Sequence, residues 1–379
     1  MTSPRILLLR HFEETPAVNG FTARYDMVVR AARTFAMVEE ATIGPIGSGA
    51  TIEVEACVFD TSRLGRIRRL QGALGLGGPF ARASKTLEAA VKKKKVSVIF
   101  GCTYRSPELY RRVARRAATF VFVEERTRAF GYGASVTPSL RSQIFATAER
   151  NALRRLLGNV RGIVVIQSGE IEAAKKRWKK PVWVVPHAIA EEEFIGAATE
   201  ALAVDCFTVG NFTERRNADG LRQFLEALEQ SDESATWSLA AVSATGFAHE
   251  LKEPSSRNVE FRGGLRDLGP SYASARVVVV PSFAISGSKT TILQGWAAKR
   301  PVVATRVAAD SVGATHGIDV LVGETAHDLV QQCGHLLASS ELTEQIVAGG
   351  TKSLGLRHSE RAVVAALKAM LHDDWENKE

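Results

Sequence analysis

Cysteine is scarce in this chain of 379 residues, which contains four: Cys57, Cys102, Cys206 and Cys333. No two of them form a CxxC pair or have the spacing of metal ligands. Each lies among apolar or helical residues, which is typical of buried free thiols. The sequence therefore argues against a disulfide framework, and we expect a protein that carries no metal ion.

Long apolar runs are also lacking. The chain starts MTSPRILLLRHFEE, where only four consecutive apolar residues precede charged ones. A membrane-spanning helix needs about 20 predominantly apolar residues, and a secretory signal needs an apolar stretch followed by a cleavage site. We therefore expect a cytoplasmic protein without a transmembrane segment.

Acidic residues are few in the first half of the chain. Residues 1–185 hold 32 Lys and Arg against 15 Asp and Glu, whereas residues 186–379 hold 17 against 26. Much of the basic excess lies in four runs: RLGRIRRL (63–70), KKKK (92–95), RRVARR (111–116) and KKRWKK (175–180). A surface of this kind attracts anionic partners.

Three kinds of anionic partner fit this charge: a nucleic acid, an anionic membrane surface or an anionic acceptor molecule. The sequence has no RNP-like aromatic strand, zinc knuckle or helix-turn-helix signature, so a nucleic acid is supported by charge alone and ranks last. A basic helix face on anionic lipid gains about 1 kcal/mol for each well-placed Lys or Arg. The alternative for each single run is an ordinary solvated helix face.

Short apolar runs alternate with helical patterns along the chain. In the first half the apolar runs are ILLL (6–9), TIEVEACVF (51–59), VSVIFGC (96–102), TFVFVEE (119–125), GIVVIQS (162–168) and VWVVP (182–186). In the second half they are CFTVG (206–210), TWSLAAV (236–242), VEFRG (259–263), VVVVPS (277–282), PVVAT (301–305) and DVLVG (319–323). Strands that are apolar on both faces and separated by helices indicate parallel sheets covered on both sides.

This alternation of apolar runs and helical patterns occurs in both halves, and the chain is long enough for two domains of roughly 100–200 residues each. PHAIAEEEF (186–194) has no periodic apolar pattern and is the predicted linker. We therefore expect an N-terminal doubly wound domain over residues 1–187, a second one over 188–357, and a final helix within 358–379, for which Ser359 is a suitable cap.

The first segment with a chemical signature is TVGNFTERRNADGL (208–221). Gly210 follows a strand, Arg215 and Arg216 lie in the predicted turn, and Asn217 is placed to cap the next helix. Backbone amides and a guanidinium group at such a turn suit a phosphate. The alternative is an ordinary turn with solvated arginines.

The second such segment is PSFAISGSKTTILQ (281–294). Gly287 and Ser288 precede a predicted helix, and Lys289 lies at its start. The amides of a helix N-terminus together with an ammonium group favour a diphosphate, although the Walker pattern GxxxxGK[ST] is absent. Trp296, on the same helix, is expected in the core.

These segments resemble the retaining glycosyltransferases of family 4, which have the GT-B fold. The resemblance covers most of the second half, through TVGNFTERRNADGLRQFLEAL, VVVVPS, GSKTTILQGWAAKRPVVAT and DVLVGETAHDLVQQCGHLLAS. In the first half it is weaker and is carried by ILLLRHFEETPAVNGFTARYDMVVRAA and VWVVPHAIAEEEF. It implies an α/β protein with two Rossmann-like domains, acceptor-binding and nucleotide-sugar-binding, facing across a cleft, and a last helix that returns to the first domain.

The resemblance also assigns roles to single residues. Arg216 and Lys289 would be the two cations on the donor diphosphate, and Gly20 would lie in the first-domain loop beneath the phosphates and sugar. The remaining donor-binding residues would be Gly210, Arg215, Ser286, Gly287, Ser288 and Gln294. Glu124 and Glu125 follow a strand, at a position where family members often have a residue that contacts the acceptor or the sugar. His187 lies at the linker, where we expect a structural role at the hinge.

Two of these positions depart from the family pattern. Ser286 and Gln294 stand where the family usually has two glutamates, a sugar contact and a ribose contact respectively. A carboxylate accepts from two hydroxyls at once, whereas a glutamine amide has one accepting and one donating group. Three alternatives follow: an active enzyme with a weaker ribose contact, an enzyme for an unusual donor, or a protein that has lost catalysis.

The resemblance implies a hexosyltransferase-type enzyme that retains anomeric configuration and needs neither cofactor nor metal. The first candidate for its donor is a UDP-sugar, and the second is a GDP-sugar. Its acceptor would be a hydroxyl, with a lipid-linked sugar, a polysaccharide or a small natural product as candidates, and the basic half would favour the inner face of the membrane. Two other hypotheses about the function stay open: a non-catalytic GT-B binding protein and a GT-B sugar-nucleotide epimerase.

Overall fold

The computed structural model describes residues 4–11, 20–44, 52–55, 81–101, 110–122, 157–190, 194, 203–243, 246–249, 251, 258–263, 268–284 and 288–376. By their contacts the residues divide into two compact units. Unit 1 contains the chain up to Pro186, apart from Ala17–Gly20, together with Val363–Glu379. Unit 2 contains His187–Ala362 together with Ala17–Gly20.

Unit 1 is built on a parallel sheet of seven described strands in the order β3-β2-β1-β4-β5-β6-β7. The strands are β1 (Arg5–His11), β2 (Met37–Gly44), β3 (Ile52–Glu55), β4 (Val98–Gly101), β5 (Ala118–Phe122), β6 (Gly162–Val165) and β7 (Val182–Val184). The helices described beside them are α1 (Gly20–Arg33), α2 (Ala81–Lys93), α3 (Tyr110–Val113) and α4 (Ile171–Trp178).

Unit 2 is built on a parallel sheet of six described strands in the order β10-β9-β8-β11-β12-β13. The strands are β8 (Val204–Val209), β9 (Ser238–Ser243), β10 (Asn258–Gly263), β11 (Ala275–Val280), β12 (Val302–Thr305) and β13 (Leu321–Gly323). Its helices are α5 (Arg215–Glu229), α6 (Gly269–Ala273), α7 (Thr290–Ala297), α8 (Arg306–Asp310), α9 (Ala326–Ala338) and α10 (Ser340–Arg357), and α11 (Glu360–Glu376) follows.

The central strands of both units are buried on both faces, as their continuous apolar runs predict. β4, β6 and β12 are fully buried, and in β11 only Arg276 reaches solvent. Strands of this kind need a helix layer on each side, because both of their faces are apolar. The predicted α/β class with two doubly wound units is confirmed by these two sheets.

The strand β2 was missed by the pattern of apolar runs because its charged residues interrupt the run. Glu39 binds Lys94 at 2.6 Å, and Glu40 accepts hydrogen bonds from Arg33 at 2.7 Å and from Tyr25 at 3.2 Å. These contacts neutralise the two carboxylates at the side of the sheet. A strand near a sheet edge tolerates such residues, whereas a central one does not.

The helix α10 was also missed, because glycine lowers the helix propensity of its sequence. Its glycines have a tertiary reason. A Cβ atom on Gly349 would lie 1.8 Å from the carbonyl oxygen of Ile318, and one on Gly350 would lie 2.4 Å from the indole ring of Trp296. The helix therefore approaches its neighbours more closely than any residue with a side chain would allow.

Two local expectations have clear outcomes. Ser359 accepts a hydrogen bond from the Ala362 amide at 3.3 Å at the start of α11, as predicted for its cap. Trp296 is buried, as expected, and donates from Nε1 to the carbonyl oxygen of Asp319 at 2.7 Å. Of the helices that the structure describes, none combines the length and the apolar character that crossing a membrane requires.

Candidate functional site

The candidate site lies in unit 2, where β8 and β11 are hydrogen-bonded neighbours. The chain runs from β8 towards β9 and β10 on one side of the sheet, and from β11 towards β12 and β13 on the other. A crevice opens beyond the carboxyl ends of two strands at such a reversal, and open parallel sheets bind their ligands there. The topology therefore places a binding site at the ends of β8 and β11.

A cavity of about 210 Å³ occupies this position. It is lined by the end of β8 and the residues after it, by the end of β11, and by the start of α7. The lining residues are Thr208, Val209, Gly210, Asn211, Phe212, Asn217, Val280, Pro281, Ser282, Ser288, Lys289, Thr290 and Thr291. The structure thus joins the two sequence segments for which a phosphate-binding role was predicted.

Helix α5 forms one wall of the site and begins earlier than predicted. Its N-cap residue is Glu214, and both arginines belong to its first turn. The capping role predicted for Asn217 is wrong: this residue lies inside the helix, and its side chain donates to the carbonyl oxygen of Asn211 at 3.0 Å. The Asn217 bond instead ties the helix to the loop that follows β8.

The close packing of α5 on β11 depends on Gly220. A Cβ atom there would lie 2.0 Å from the carbonyl oxygen of Pro281. The helix can therefore come near the end of β11 only because this residue has no side chain. The N-terminus of α5 and Pro281, which lines the cavity, are held together by this contact.

Lys289 is the cation of the cavity. It is the N-cap residue of α7, and its backbone amide donates to the Ser311 hydroxyl at 3.0 Å. Burial lowers the pKa of the Lys289 ammonium to about 8, with Glu214 opposing this shift and Arg216 adding to it. Both charges are therefore close enough to act on Lys289, and a bound anion would restore the favourable surroundings that burial removes.

The two arginines of α5 differ from Lys289 in exposure. Arg216 is half-exposed and binds Glu214 through Nη2 at 2.6 Å and Nε at 3.2 Å. Arg215 is 93% exposed and lies 3.7 Å from Asp219. Arg216 lies beside the cavity with its charge balanced by Glu214, whereas Arg215 points into solvent.

Gln294 has a partner that the sequence alone did not reveal. The hydroxyl of Tyr272, which is fully buried, donates to Gln294 Oε1 at 2.9 Å. Burial raises the pKa of this hydroxyl well above its usual value, so Tyr272 stays protonated and acts as a donor. One lone pair of the Gln294 oxygen is therefore used inside the protein, which leaves mainly its N–H group for a ligand.

The remaining predicted residues fall in other places. Gly20 was expected in the loop beneath the donor phosphates; it is the first residue of α1, and its contact with the donor stays a prediction. His187 is buried, and its carbonyl oxygen lies 2.9 Å from Nδ1 of His358. Glu124, Glu125, Ser286 and Gly287 lie outside the described residues.

Three residues of this region were missed by sequence reasoning: Thr208, Glu214 and Tyr272. Thr208 interrupts the apolar end, CFTV, of the strand β8, which was the available signal for a polar group there. Glu214 adjoins the arginines that were noticed, and its proximity to Lys289 depends on tertiary structure. Tyr272 lies on α6, 22 positions before Gln294, and local sequence does not predict their contact.

Comparisons with known proteins agree with this geometry. Residues 203–339 match the family model described as Glycosyl transferases group 1. None of the curated protein sequences compared with the chain matches it.

Solved structures resemble the chain over nearly its whole length. Sucrose-phosphate synthase from Thermosynechococcus elongatus has a TM-score of 0.71 at 14% identity, with 99% of this chain and 100% of that chain covered. Anabaena Alr3699/HepE in complex with UDP has a TM-score of 0.66 at 12% identity, with 97% and 100% covered. The N-terminal domain of Candida albicans trehalose-6-phosphate phosphatase has a TM-score of 0.70 at 11% identity, with 98% and 97% covered.

The two sheets and the switch-point cavity define a two-domain α/β protein of the GT-B fold. Residues 203–339, which match the glycosyl transferases group 1 model, contain β8 to β13 and all the residues that line the cavity. The predicted resemblance to glycosyltransferases of the GT-B fold is thereby confirmed, whereas the narrower assignment to family 4 stays a prediction.

Proposed function

We propose that the protein is a glycosyltransferase that binds a nucleoside diphosphate sugar at the cavity between β8 and β11 and transfers the sugar to a hydroxyl group. The observation that carries the proposal is Lys289: a half-buried cation at the N-terminus of α7 that lines a cavity at the topological switch point. Both the ammonium group and the helix dipole favour a phosphate there. UDP is the proposed nucleotide, which is also the ligand of the HepE structure.

The protein's part in the reaction would be electrostatic. Breaking the bond between sugar and diphosphate builds negative charge on the leaving phosphate, and fixed positive charge stabilises that charge. Lys289 supplies one such charge, and Arg216 supplies a second once the diphosphate competes with Glu214 for it. These two charges would stabilise the leaving diphosphate without a metal or cofactor. In a reaction that retains the anomeric configuration, the leaving phosphate itself would take the proton from the hydroxyl group of the acceptor molecule.

The experiment that tests this function is calorimetric titration of the purified protein with UDP, GDP, ADP and dTDP. Micromolar binding of one of them, followed by release of that nucleotide from its sugar conjugate in the presence of hydroxyl acceptors, is the expected result. Binding of none of the four would overturn the proposal.

Two other functions predict different results in the same assays. A non-catalytic binding protein is favoured by the Gln294 contact, because Tyr272 already uses an acceptor site of the amide. It predicts weak or absent nucleotide binding and no turnover. A sugar-nucleotide epimerase predicts release of free nucleotide without any acceptor.

The pH dependence of binding is a direct consequence of the Lys289 pKa. Because this pKa is lowered to about 8, the side chain is charged below that pH and loses its charge above it. We therefore expect the Kd for UDP to be constant between about pH 7 and 7.5 and to rise towards about tenfold per pH unit above pH 8. Titrations from pH 7 to 9.5 measure this change.

The Lys289→Arg variant is the control for that profile. A guanidinium group stays charged throughout this pH range, so the variant should bind more weakly at pH 7 but with a flat profile. An equally steep rise in the variant would show that another group is responsible.

The proposal includes the acceptor, which would be a hydroxyl-bearing molecule, with a lipid-linked one as the first candidate. It also includes peripheral contact of the protein with an anionic membrane. The support is the exposed basic surface of unit 1, where Lys92 and Lys93 end α2 and Lys95 and Arg115 lie close in sequence to α2 and α3. We expect liposomes with anionic lipid to sediment the protein at low salt and neutral liposomes to leave it in solution. Equal sedimentation by both would contradict membrane contact.

A further inference from the structure

Thr208 lines the cavity and carries a buried hydroxyl group without a hydrogen-bond partner among the described residues. It lies in β8 and is 1% exposed. A buried hydroxyl in a folded protein normally has a partner, because burial without one costs free energy. The residue before it, Phe207, belongs to the apolar core, which shows what a strand of this kind ordinarily buries.

Ser288, which lines the same cavity, has the same property. Its hydroxyl oxygen is buried and likewise lacks a partner within the described part of the chain. Only three buried hydroxyl groups of the described residues are in this state, and two of them, Thr208 and Ser288, line this single cavity. The clustering indicates that their partner is a ligand.

The chemistry of that ligand is set by the third polar group of the cavity. Lys289 follows Ser288 in sequence and lines the same space, so the ligand group between them is anionic. Hydroxyl groups donate well to phosphate oxygens, and such bonds are stronger than those between neutral groups. In a cavity of about 210 Å³ that these three residues line, the diphosphate is the part of a nucleotide sugar that they would contact.

We propose that the hydroxyl groups of Thr208 and Ser288 each donate a hydrogen bond to the diphosphate held by Lys289, and that they are binding residues in addition to the charged ones. This inference rests on the proposed function. A ligand-binding role differs from a structural one in its effect on stability. In the ligand-free protein the two unpartnered hydroxyls lower the stability of the fold, whereas in the complex their hydrogen bonds raise the affinity for the ligand.

The test removes each hydroxyl without changing the shape of the side chain. In Thr208→Val a methyl group replaces the hydroxyl, and in Ser288→Ala the hydroxyl is deleted. We expect each variant to bind UDP and inorganic pyrophosphate about tenfold or more weakly, the loss of a hydrogen bond to a charged group. We also expect the Tm of the ligand-free Thr208→Val protein to rise by about 2 °C, because a buried unpartnered hydroxyl is removed.

The matched control is Thr119→Val in β5. Thr119 is also fully buried in a strand, but its hydroxyl donates to the Ala117 carbonyl oxygen at 3.0 Å. This variant should lower the Tm and leave the binding of UDP and pyrophosphate unchanged. The opposite signs for two buried threonines separate a ligand-binding hydroxyl from a structural one.

The outcomes separate this inference from the proposed function. If the wild-type protein binds UDP and both variants bind it equally well, the inference is overturned and the proposed function stands. A fall in the Tm of ligand-free Thr208→Val would also overturn it, because the hydroxyl would then have an internal partner. If the wild-type protein binds neither a nucleoside diphosphate nor pyrophosphate, both proposals fail together.

Discussion

The Lys289→Met variant is expected to bind UDP about 100-fold more weakly than the wild-type protein, which corresponds to the loss of a strong bond to a charged group. Methionine has nearly the length of lysine and no charge, so it fills the same space at the start of α7. Because burial disfavours the Lys289 ammonium in the ligand-free protein, we expect the variant to fold and to be at least as stable as the wild type. Calorimetric titration and thermal unfolding measure the two effects.

Lys352→Met is the matched control. Lys352 is an exposed lysine of α10 in the same unit, outside the residues that line the cavity. The same substitution there should change neither the Kd for UDP nor the Tm beyond the error of measurement. Equal binding by Lys289→Met and the wild type would mean that the diphosphate is bound elsewhere, and the proposed site would have to be abandoned.

The second large effect is expected from a single methyl group in α10. Gly349→Ala would place a Cβ atom 1.8 Å from the Ile318 carbonyl oxygen, which is backbone and moves only with its loop. We expect the free energy of unfolding of unit 2 to fall by about 3 kcal/mol, the upper range for overpacking a well-packed region. Chemical denaturation followed by tryptophan fluorescence measures it, since Trp296 lies in this unit.

The loop that must move carries a buried carboxylate. Asp319 accepts hydrogen bonds from the Thr315 amide at 2.7 Å, the Ser353 hydroxyl at 2.7 Å and the Arg357 guanidinium at 2.9 Å. A shift of α10 against this loop would stretch the last two bonds, because Ser353 and Arg357 lie on the helix. The carboxylate would then be buried with fewer partners, which adds to the cost of the clash.

Gly355→Ala in the same helix should have the opposite sign. A Cβ atom at Gly355 would meet nothing within 4 Å among the described residues. Alanine has the higher helix propensity, so the variant should be more stable by about 0.5 to 1 kcal/mol. A destabilised Gly355→Ala would contradict the helix-propensity argument, and an unchanged Gly349→Ala would contradict the close packing of α10 on its neighbours.

The sequence predicts much of the fold because its signal is local. The central strands, from ILLL to PVVAT, are continuous apolar runs that only a doubly covered sheet can bury, and each was found within a few residues of its bounds. The exceptions have tertiary causes. β2 keeps its glutamates because Lys94, Arg33 and Tyr25 bind them, and α10 keeps its glycines because its neighbours come close.

The candidate site was predictable in part. The two segments around Gly210 and Lys289 were predicted to bind phosphate from a glycine at a strand end and a cation at a helix start, and both line the cavity. Asn217 was misjudged because the helix begins before it. The glutamine at position 294 could be noticed, but not its bond to Tyr272, since that contact joins two helices.

The sequence by itself determined the alternation of strands and helices, the resemblance to group 1 glycosyltransferases, and the residue types at the ends of β8 and at the start of α7. Those properties follow from neighbouring residues, since periodicity and capping act over a few positions. Only the tertiary structure decided that β8 and β11 are neighbours, that Lys289 is half-buried near Glu214 and Arg216, and that the Thr208 and Ser288 hydroxyls have no partner among the described residues. Burial and pairing depend on residues far apart in the chain, and it is burial that lowers the pKa of Lys289 and makes an unpartnered hydroxyl a sign of a ligand.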